Sequence, residues 1–235
     1  MARELVAAQV QCIDTLMRGG LREHLVLVGS AALPGVYLHR RTPLTLDFEA
    51  RYLIAVSFAE FACQLDKRFV LGSDGRGVTY QCRSRTGRRL VIPVRVFAND
   101  NRTAEPVDSS FGGFGQTVAV PSHTIEALTA SKMQRLTQRC NSLDFYDLWT
   151  ALRYRFDSAA DAAILGKASQ SLESPVLHRM RQLANTWTAS LERYVDAVPE
   201  FEVVFEELKA LLAAHEGNRK GPSVWVRQRI KQTLA

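Results

Sequence analysis

The sequence predicts an α/β (α+β) fold: a mixed sheet with helices in the first half of the chain, followed by a bundle of helices. Three observations carry that prediction. As far as Pro121, short β-branched runs of strand length alternate with segments of helical period. Among them, the apolar run Val26-Leu27-Val28 is broken by Gly29-Ser30, and a helical pattern follows at once. From Ser122 onward the apolar period is helical throughout.

In order, residues 2–18 place Leu5, Val6, Val10, Ile13, Leu16 and Met17 at helical spacing, and Gly19-Gly20 ends that helix. A strand over 24–28 leads into a short helix over 30–38, with Pro34 in its first turns, where a missing N–H costs little. Ser30 is placed to cap that helix. A strand over 44–49 alternates, with Thr45, Asp47 and Glu49 on one face and Leu46 and Phe48 on the other. Residues 53–66 read as an amphipathic helix. Three strands follow over 69–72, 78–83 and 89–97, linked by turns at Ser73-Asp74-Gly75 and Arg85-Thr86-Gly87. Pro93 marks the third of them as an edge strand or a bulge. Residues 99–115, rich in Gly, Asp, Asn and Ser, read as a loop, and 117–120 as a short strand. Helices are expected at about 123–139, 142–155, 158–170, 175–195, 200–215 and 222–234. The change in composition near Pro121 divides the chain into domains of residues 1–121 and 122–235.

A chain of 235 residues with 46% hydrophobic and 23% charged residues can bury a sizeable core. No apolar run approaches the length of a membrane span, and the N-terminus lacks a signal-peptide pattern. Cys12, Cys63, Cys82 and Cys140 are widely spaced and read as reduced thiols of a cytoplasmic protein. The five His lack metal-ligand spacing. A net charge of +6 favours a polyanionic partner.

The chemistry gathers around Gly29-Ser30 and the acids after it. A helix N-terminus behind a strand offers free N–H groups to an anion. Acids on the next strand can hold a divalent cation that bridges phosphates. Further on, Lys132, Arg135 and Arg139 share one helix face at spacings of three and seven, as an exposed basic stripe. Asp144 and Asp147 share the face of the next helix, with Asn141 or Ser142 as its cap. Arg83, Arg85, Arg88 and Arg89 crowd one hairpin, and Arg40 and Arg41 flank the first strands.

This order resembles the bacterial abortive-infection nucleotidyltransferase toxins, the AbiEii family. It runs from Gly29-Ser30 through His39-Arg40-Arg41 and Asp47-Phe48 to Lys132, Arg139 and Asp144-Phe145-Tyr146-Asp147-Leu148, and it covers roughly residues 22 to 155. One alignment puts Thr45 at the family's first Asp and Asp47 at its second; a shifted one makes Asp47 and Glu49 the pair. Arg95 lies about where a further acid of the family would sit.

The resemblance implies a nucleotidyltransferase-like core followed by a helical domain. It implies the toxin of a toxin–antitoxin or phage-defence pair, with a cognate antitoxin encoded next door. The implied reaction is Mg²⁺-assisted transfer of a nucleoside monophosphate from an NTP to an acceptor such as the 3′ end of tRNA. Asp47 and Glu49 would hold metal, and Gly29, Ser30 and Arg139 the nucleotide. Asp47, Lys132, Asp144 and Asp147 would be catalytic. The arginines at 40, 41, 83, 85, 88 and 89 would contact RNA. Thr45 and Arg95 leave a second reading open: the same fold as a catalytically degenerate module that binds RNA or a partner.

Overall fold

In the computed structural model, residues 2–39, 41–72, 77–99, 105–154 and 173–217 are described. The turn expected at Ser73–Gly75, the helices expected over 158–170 and 222–234, and Arg40 lie outside them. The chain forms two compact units, Met1–Thr124 and Ile125–Ala235.

The first unit is built on a seven-stranded mixed sheet. Its strands are β1 (Val26–Val28), β2 (Leu46–Ala50), β3 (Phe69–Leu71), β4 (Val78–Arg83), β5 (Arg89–Ala98), β6 (Val107–Gly113) and β7 (Gln116–Ser122), in the order β3-β4-β5-β2-β1-β7-β6. β1 runs antiparallel to β2 and parallel to β7, and β2 runs parallel to β5. The outer pairs β3/β4, β4/β5 and β6/β7 are antiparallel.

One face of the sheet is apolar. Leu46, Phe48, Val78, Tyr80, Ile92 and Val94 are buried on it. Two helices pack on the sheet. α1 (Ala2–Leu16) buries Val6, Cys12, Ile13 and Leu16, and α3 (Tyr52–Leu65) lies on β2 and β5. α1 ends in a wider turn, Met17–Leu21, kinked at Gly20, and Leu65 of α3 presses against Gly19 there. At the end of α3, Arg68 forks onto Asp66 at 2.6 Å and stacks over Tyr80 at 4.9 Å. That guanidinium holds the Asp66 carboxyl below its ordinary value. Burial pushes the Tyr80 phenol and the Cys12 thiol up.

Three sequence expectations are corrected here. Val107–Gly113 is a strand, paired residue for residue with β7, where a loop was expected. Its Asp-Ser-Ser and Gly-Gly have turn composition; pairing with β7 makes it extended. Pro93 lies on an interior strand, between β4 and β2, because the β2 ladder begins only one residue later at Val94. The single helix expected over 175–195 is broken into two helices with a 3₁₀ turn between them, Ala184–Thr186.

The second unit is helical: α4 (Ile125–Leu136), α5 (Ser142–Tyr154), α6 (Glu173–Arg181), α7 (Trp187–Leu191) and α8 (Phe201–Gly217). Its core gathers Phe145, Leu148, Leu152, Val176, Met180, Trp187, Val204 and Leu208. Trp187 donates its indole N–H to Pro199 O at 2.9 Å, so its polar handle is satisfied inside the cluster.

Candidate active site

The site in the first unit starts from strand register. Val28, the last residue of β1, pairs with Asp47 of β2. The Gly29-Ser30 turn therefore follows directly beside Asp47. Gly29 has φ 63, in the left-handed region where a side chain is strained, which is why the turn into α2 (Gly29–Ala32) uses glycine. Ser30 does not cap the helix as expected. Val28 occupies the cap position in extended conformation, without a side-chain cap bond, and Ser30 sits inside the first turn, partly exposed. Beyond α2 the chain continues through a wider helical turn, Leu33–Leu38, to His39, whose φ of 49 ends it.

Asp47 is almost buried, and Arg95 of β5 is in register with it. The guanidinium grips both carboxylate oxygens, Nε to Oδ1 at 2.7 Å and Nη2 to Oδ2 at 3.0 Å. The same Nη2 donates to Thr45 Oγ1 at 3.2 Å, and Thr45 Oγ1 donates to Asp47 Oδ1 at 3.2 Å. Two residues on, Glu49 Oε2 accepts from Asn99 Nδ2 at 2.7 Å and lies 3.1 Å from His123 Nε2. Tyr37 donates to the carbonyl of His123 at 2.9 Å, which fixes the backbone there. Sequence reasoning missed His123 and Asn99: they stand far from Glu49 in the chain, and no local spacing marks them.

The charge around Asp47 bears on the expected metal. A divalent cation of the Mg²⁺ type takes several oxygen ligands, and carboxylates are its strongest. Among the described residues, no three His, Cys, Asp or Glu side chains gather as such a set. Both oxygens of Asp47 are held by Arg95, and Glu49 Oε2 is shared by Asn99 and His123. In this arrangement Asp47 and Glu49 do not fit a divalent cation.

In the second unit, Lys132 of α4 lies between two acids of α5. Its Nζ is 2.8 Å from Asp144 Oδ1 and 3.0 Å from Asp147 Oδ2, and all three side chains are buried. Arg139 pairs with Asp144 Oδ2 at 2.6 Å from a half-exposed position beyond the end of α4. Asn141 is the cap of α5: its Oδ1 accepts from the Leu143 N–H at 2.9 Å. The exposed basic stripe expected over Lys132, Arg135 and Arg139 is thus corrected. Arg135 and Arg139 are exposed, but Lys132 is an interior ion, neutralised by the acids of the next helix.

Arg83, Arg85, Arg88 and Arg89 are all exposed on the β4–β5 hairpin. Beside it, a groove of about 550 Å³ is lined by Arg3, Glu4 and Asp14 of α1, by Arg18 of the turn after it, by Arg83 and Arg85, and by Thr117 of β7. Arg41 differs from expectation: only 8% of it is exposed, so its side chain is not offered to a polyanion.

The AbiEii nucleotidyltransferase toxin family of type IV toxin–antitoxin systems matches residues 14–214. The chain belongs to this family. Among curated proteins, none matches it. Solved structures with the same fold include MenT4, a nucleotidyltransferase toxin of Mycobacterium tuberculosis. It is 17% identical, with a TM-score of 0.62 over 98% of this chain and 91% of that one. JHP933 of Helicobacter pylori is 14% identical, with a TM-score of 0.56 over 95% and 96% of the two chains. An antigenic nucleotidyltransferase-like protein of Paracoccidioides brasiliensis is 16% identical, with a TM-score of 0.53 over 80% and 97%. The mixed α/β fold is that of the nucleotidyltransferase toxins, and no described helix of this AbiEii-family chain is long and apolar enough to cross a membrane.

Proposed function

We propose that this chain is a toxin that transfers a nucleoside monophosphate from an NTP to an RNA acceptor, such as the 3′ end of tRNA. It would act in the cytoplasm, in abortive infection or phage defence, beside a cognate antitoxin encoded next door. Residues 1–121 serve as the nucleotidyltransferase-like core and 122–235 as the helical domain. The observation that carries the reading is the register that sets the Gly29-Ser30 turn beside Asp47, in a chain of this family.

In the reaction, an acceptor hydroxyl oxygen forms a bond to the α-phosphorus of the NTP. The bond from that phosphorus to the pyrophosphate oxygen breaks, pyrophosphate departs with the bonding electrons, and the hydroxyl proton passes to solvent water. Gly29, Ser30 and the amides of α2 hold the phosphates, as a helix N-terminus does for anions. Asp47 orients the reacting groups beside that turn. Lys132 is a positioning residue: it holds Asp144 and Asp147, and Asp144 in turn pairs with Arg139, whose half-exposed guanidinium is open to an anion. No step is assigned to magnesium, because Arg95 holds both Asp47 oxygens. The hairpin arginines at 83, 85, 88 and 89, with the groove beside them, take the RNA backbone.

A second reading rests on the same Arg95–Asp47 pair. A carboxylate locked to a guanidinium suits a degenerate module that binds RNA or a partner without turnover. Labelled NTPs incubated with total tRNA and the purified chain separate the two. Incorporation that is lost in Asp47→Asn supports the transferase; RNA binding without incorporation from any of the four NTPs overturns it in favour of the module.

A further inference from the structure

We propose that Arg95 is the resident cation of the Asp47 site and keeps that carboxylate closed to divalent metal. The proposal concerns the site of the proposed transfer reaction, but it stands on side-chain geometry and is tested without nucleotide or acceptor.

Four observations support it. First, Asp47 and Arg95 are direct partners across parallel strands, so their side chains leave the same face of the sheet side by side. Second, the contact is a two-pronged fork onto both oxygens, at 2.7 and 3.0 Å, which is the strongest geometry available to this pair. Third, the guanidinium is held from other sides too: it donates to Thr45 Oγ1 and lies over the Phe97 ring at 5.8 Å. Fourth, the Asp47 side chain is only 6% exposed, so little water competes with the guanidinium for its charge.

A metal ion entering here must displace a guanidinium already satisfied on three sides. Any divalent ion that accompanies an NTP is then carried by the phosphates themselves rather than by Asp47. Glu49 adds no open carboxylate beside it, because His123 and Asn99 engage its Oε2.

The test is Mn²⁺ binding to the full chain without nucleotide, read from the free-ion signal in electron paramagnetic resonance. Wild type, Asp47→Asn, Arg95→Ala, Arg95→Gln and the double variant Arg95→Ala with Asp47→Asn are compared, each checked for its fold by circular dichroism and thermal melting. The two Arg95 variants are expected to bind Mn²⁺ about tenfold more tightly than wild type or better, and the gain is expected to vanish in the double variant. Arg95→Gln keeps much of the side-chain volume, so it serves if Arg95→Ala fails to fold. Equal affinity in wild type and both Arg95 variants overturns the proposal. So does a gain that survives the loss of the Asp47 carboxylate, or tight wild-type binding that Asp47→Asn abolishes. Failure of nucleotide transfer would leave these affinities untouched, so the two readings fall separately.

Discussion

At the scale of single residues, the Lys132 cluster shows how burial changes the meaning of a charge. On an exposed stripe, truncating a lysine would cost within about 0.5 kcal/mol. Lys132 instead sits between Asp144 and Asp147, at 2.8 and 3.0 Å, with all three side chains shut away from water. Lys132→Ala would take the lysine away from two buried carboxylates, leaving Asp144 to the half-exposed Arg139 and depriving Asp147 of its ammonium contact. Breaking such a pair from one side costs about 3–5 kcal/mol, so this variant is expected to melt well below wild type. A thermal melt unchanged within error would show that the acids find another partner. Loss of activity in Lys132→Ala therefore reports folding as much as chemistry, and Asp47→Asn is the cleaner probe of the reaction. Cys12 makes a second expectation. Its thiol is fully buried, and burial is the chief cause of its raised pKa. Little thiolate exists at pH 8, and the sulfur has no path to solvent. Cys12 should stay unlabelled by a thiol-specific reagent until denaturant is added, as peptide mapping would show; labelling at the rate of exposed Cys140 would contradict the packing of α1.

At the scale of elements, close approach and turn charge carry the predictions. The turn Leu33–Leu38 lies against β6 so tightly that a Cβ on Gly35 would meet Phe111 Cε2 at 2.1 Å. Phe111 is fully buried, so its ring has little room to yield. Gly35→Ala is expected to cost about 1–3 kcal/mol through overpacking, measured by chemical denaturation; no loss would mean that the ring moves aside. At the junction of α3 and β3, Arg68 lowers the pKa of Asp66. A carboxyl whose folded pKa lies below its unfolded value adds stability above the unfolded value, and loses it as pH falls through the folded one. The stability difference between wild type and Asp66→Asn should therefore be present at pH 7 and shrink below about pH 4. A difference constant from pH 7 to pH 3 would show that the Arg68 pair is not its source.

The elements also show what could be read beforehand. Buried strands such as Val26–Val28 and amphipathic helices such as Ala2–Leu16 carry their own period, so they were legible; the helix Tyr52–Leu65 also formed where expected, but Leu53 and Val56 of its apolar set are exposed. β6 was not, because Asp108, Ser109, Gly112 and Gly113 have turn composition, and only pairing with β7 makes them a strand. The Gly29-Ser30 turn and Asp47 were legible because they are local motifs. The Arg95 fork was not, because it depends on a parallel register between segments 48 residues apart. The burial of Lys132 was hidden for a similar reason: spacing within α4 groups it with Arg135 and Arg139, while the acids that neutralise it come from the next helix.

At the scale of the whole molecule, charge is the property that bears on the acceptor. The chain carries a formal net charge of +6. On the described surface of the first unit, a visible concentration of that charge is the β4–β5 hairpin with Arg83, Arg85, Arg88 and Arg89. Two of the four, Arg83 and Arg89, are direct cross-strand partners. Like charges placed opposite each other cost a little stability, which is a reason to look for a counter-charge supplied from outside. Arg89 is partly tied by Gln81 at 2.6 Å and Arg83 by the Gly87 carbonyl at 3.4 Å, both neutral acceptors that leave the charges uncompensated. A polyanion bound here would release counterions for each phosphate neutralised, with a slope of about 0.7 per contact on single-stranded RNA. Replacing all four arginines by Gln is therefore expected to weaken RNA binding evenly across sequences. It should flatten the plot of log affinity against log salt by about 2 units, since four contacts at that slope set an upper limit of about 2.8. These exposed side chains contribute little to the fold, so the melting temperature should hold within a few degrees. Fluorescence-anisotropy titrations of a labelled tRNA 3′ fragment and of an unrelated RNA, from 50 to about 300 mM salt, would read both quantities. An unchanged slope would make the hairpin solvated surface and move the RNA contact elsewhere on the chain. A loss confined to one RNA sequence would mean base readout rather than backbone attraction, which four arginines on an exposed turn do not predict.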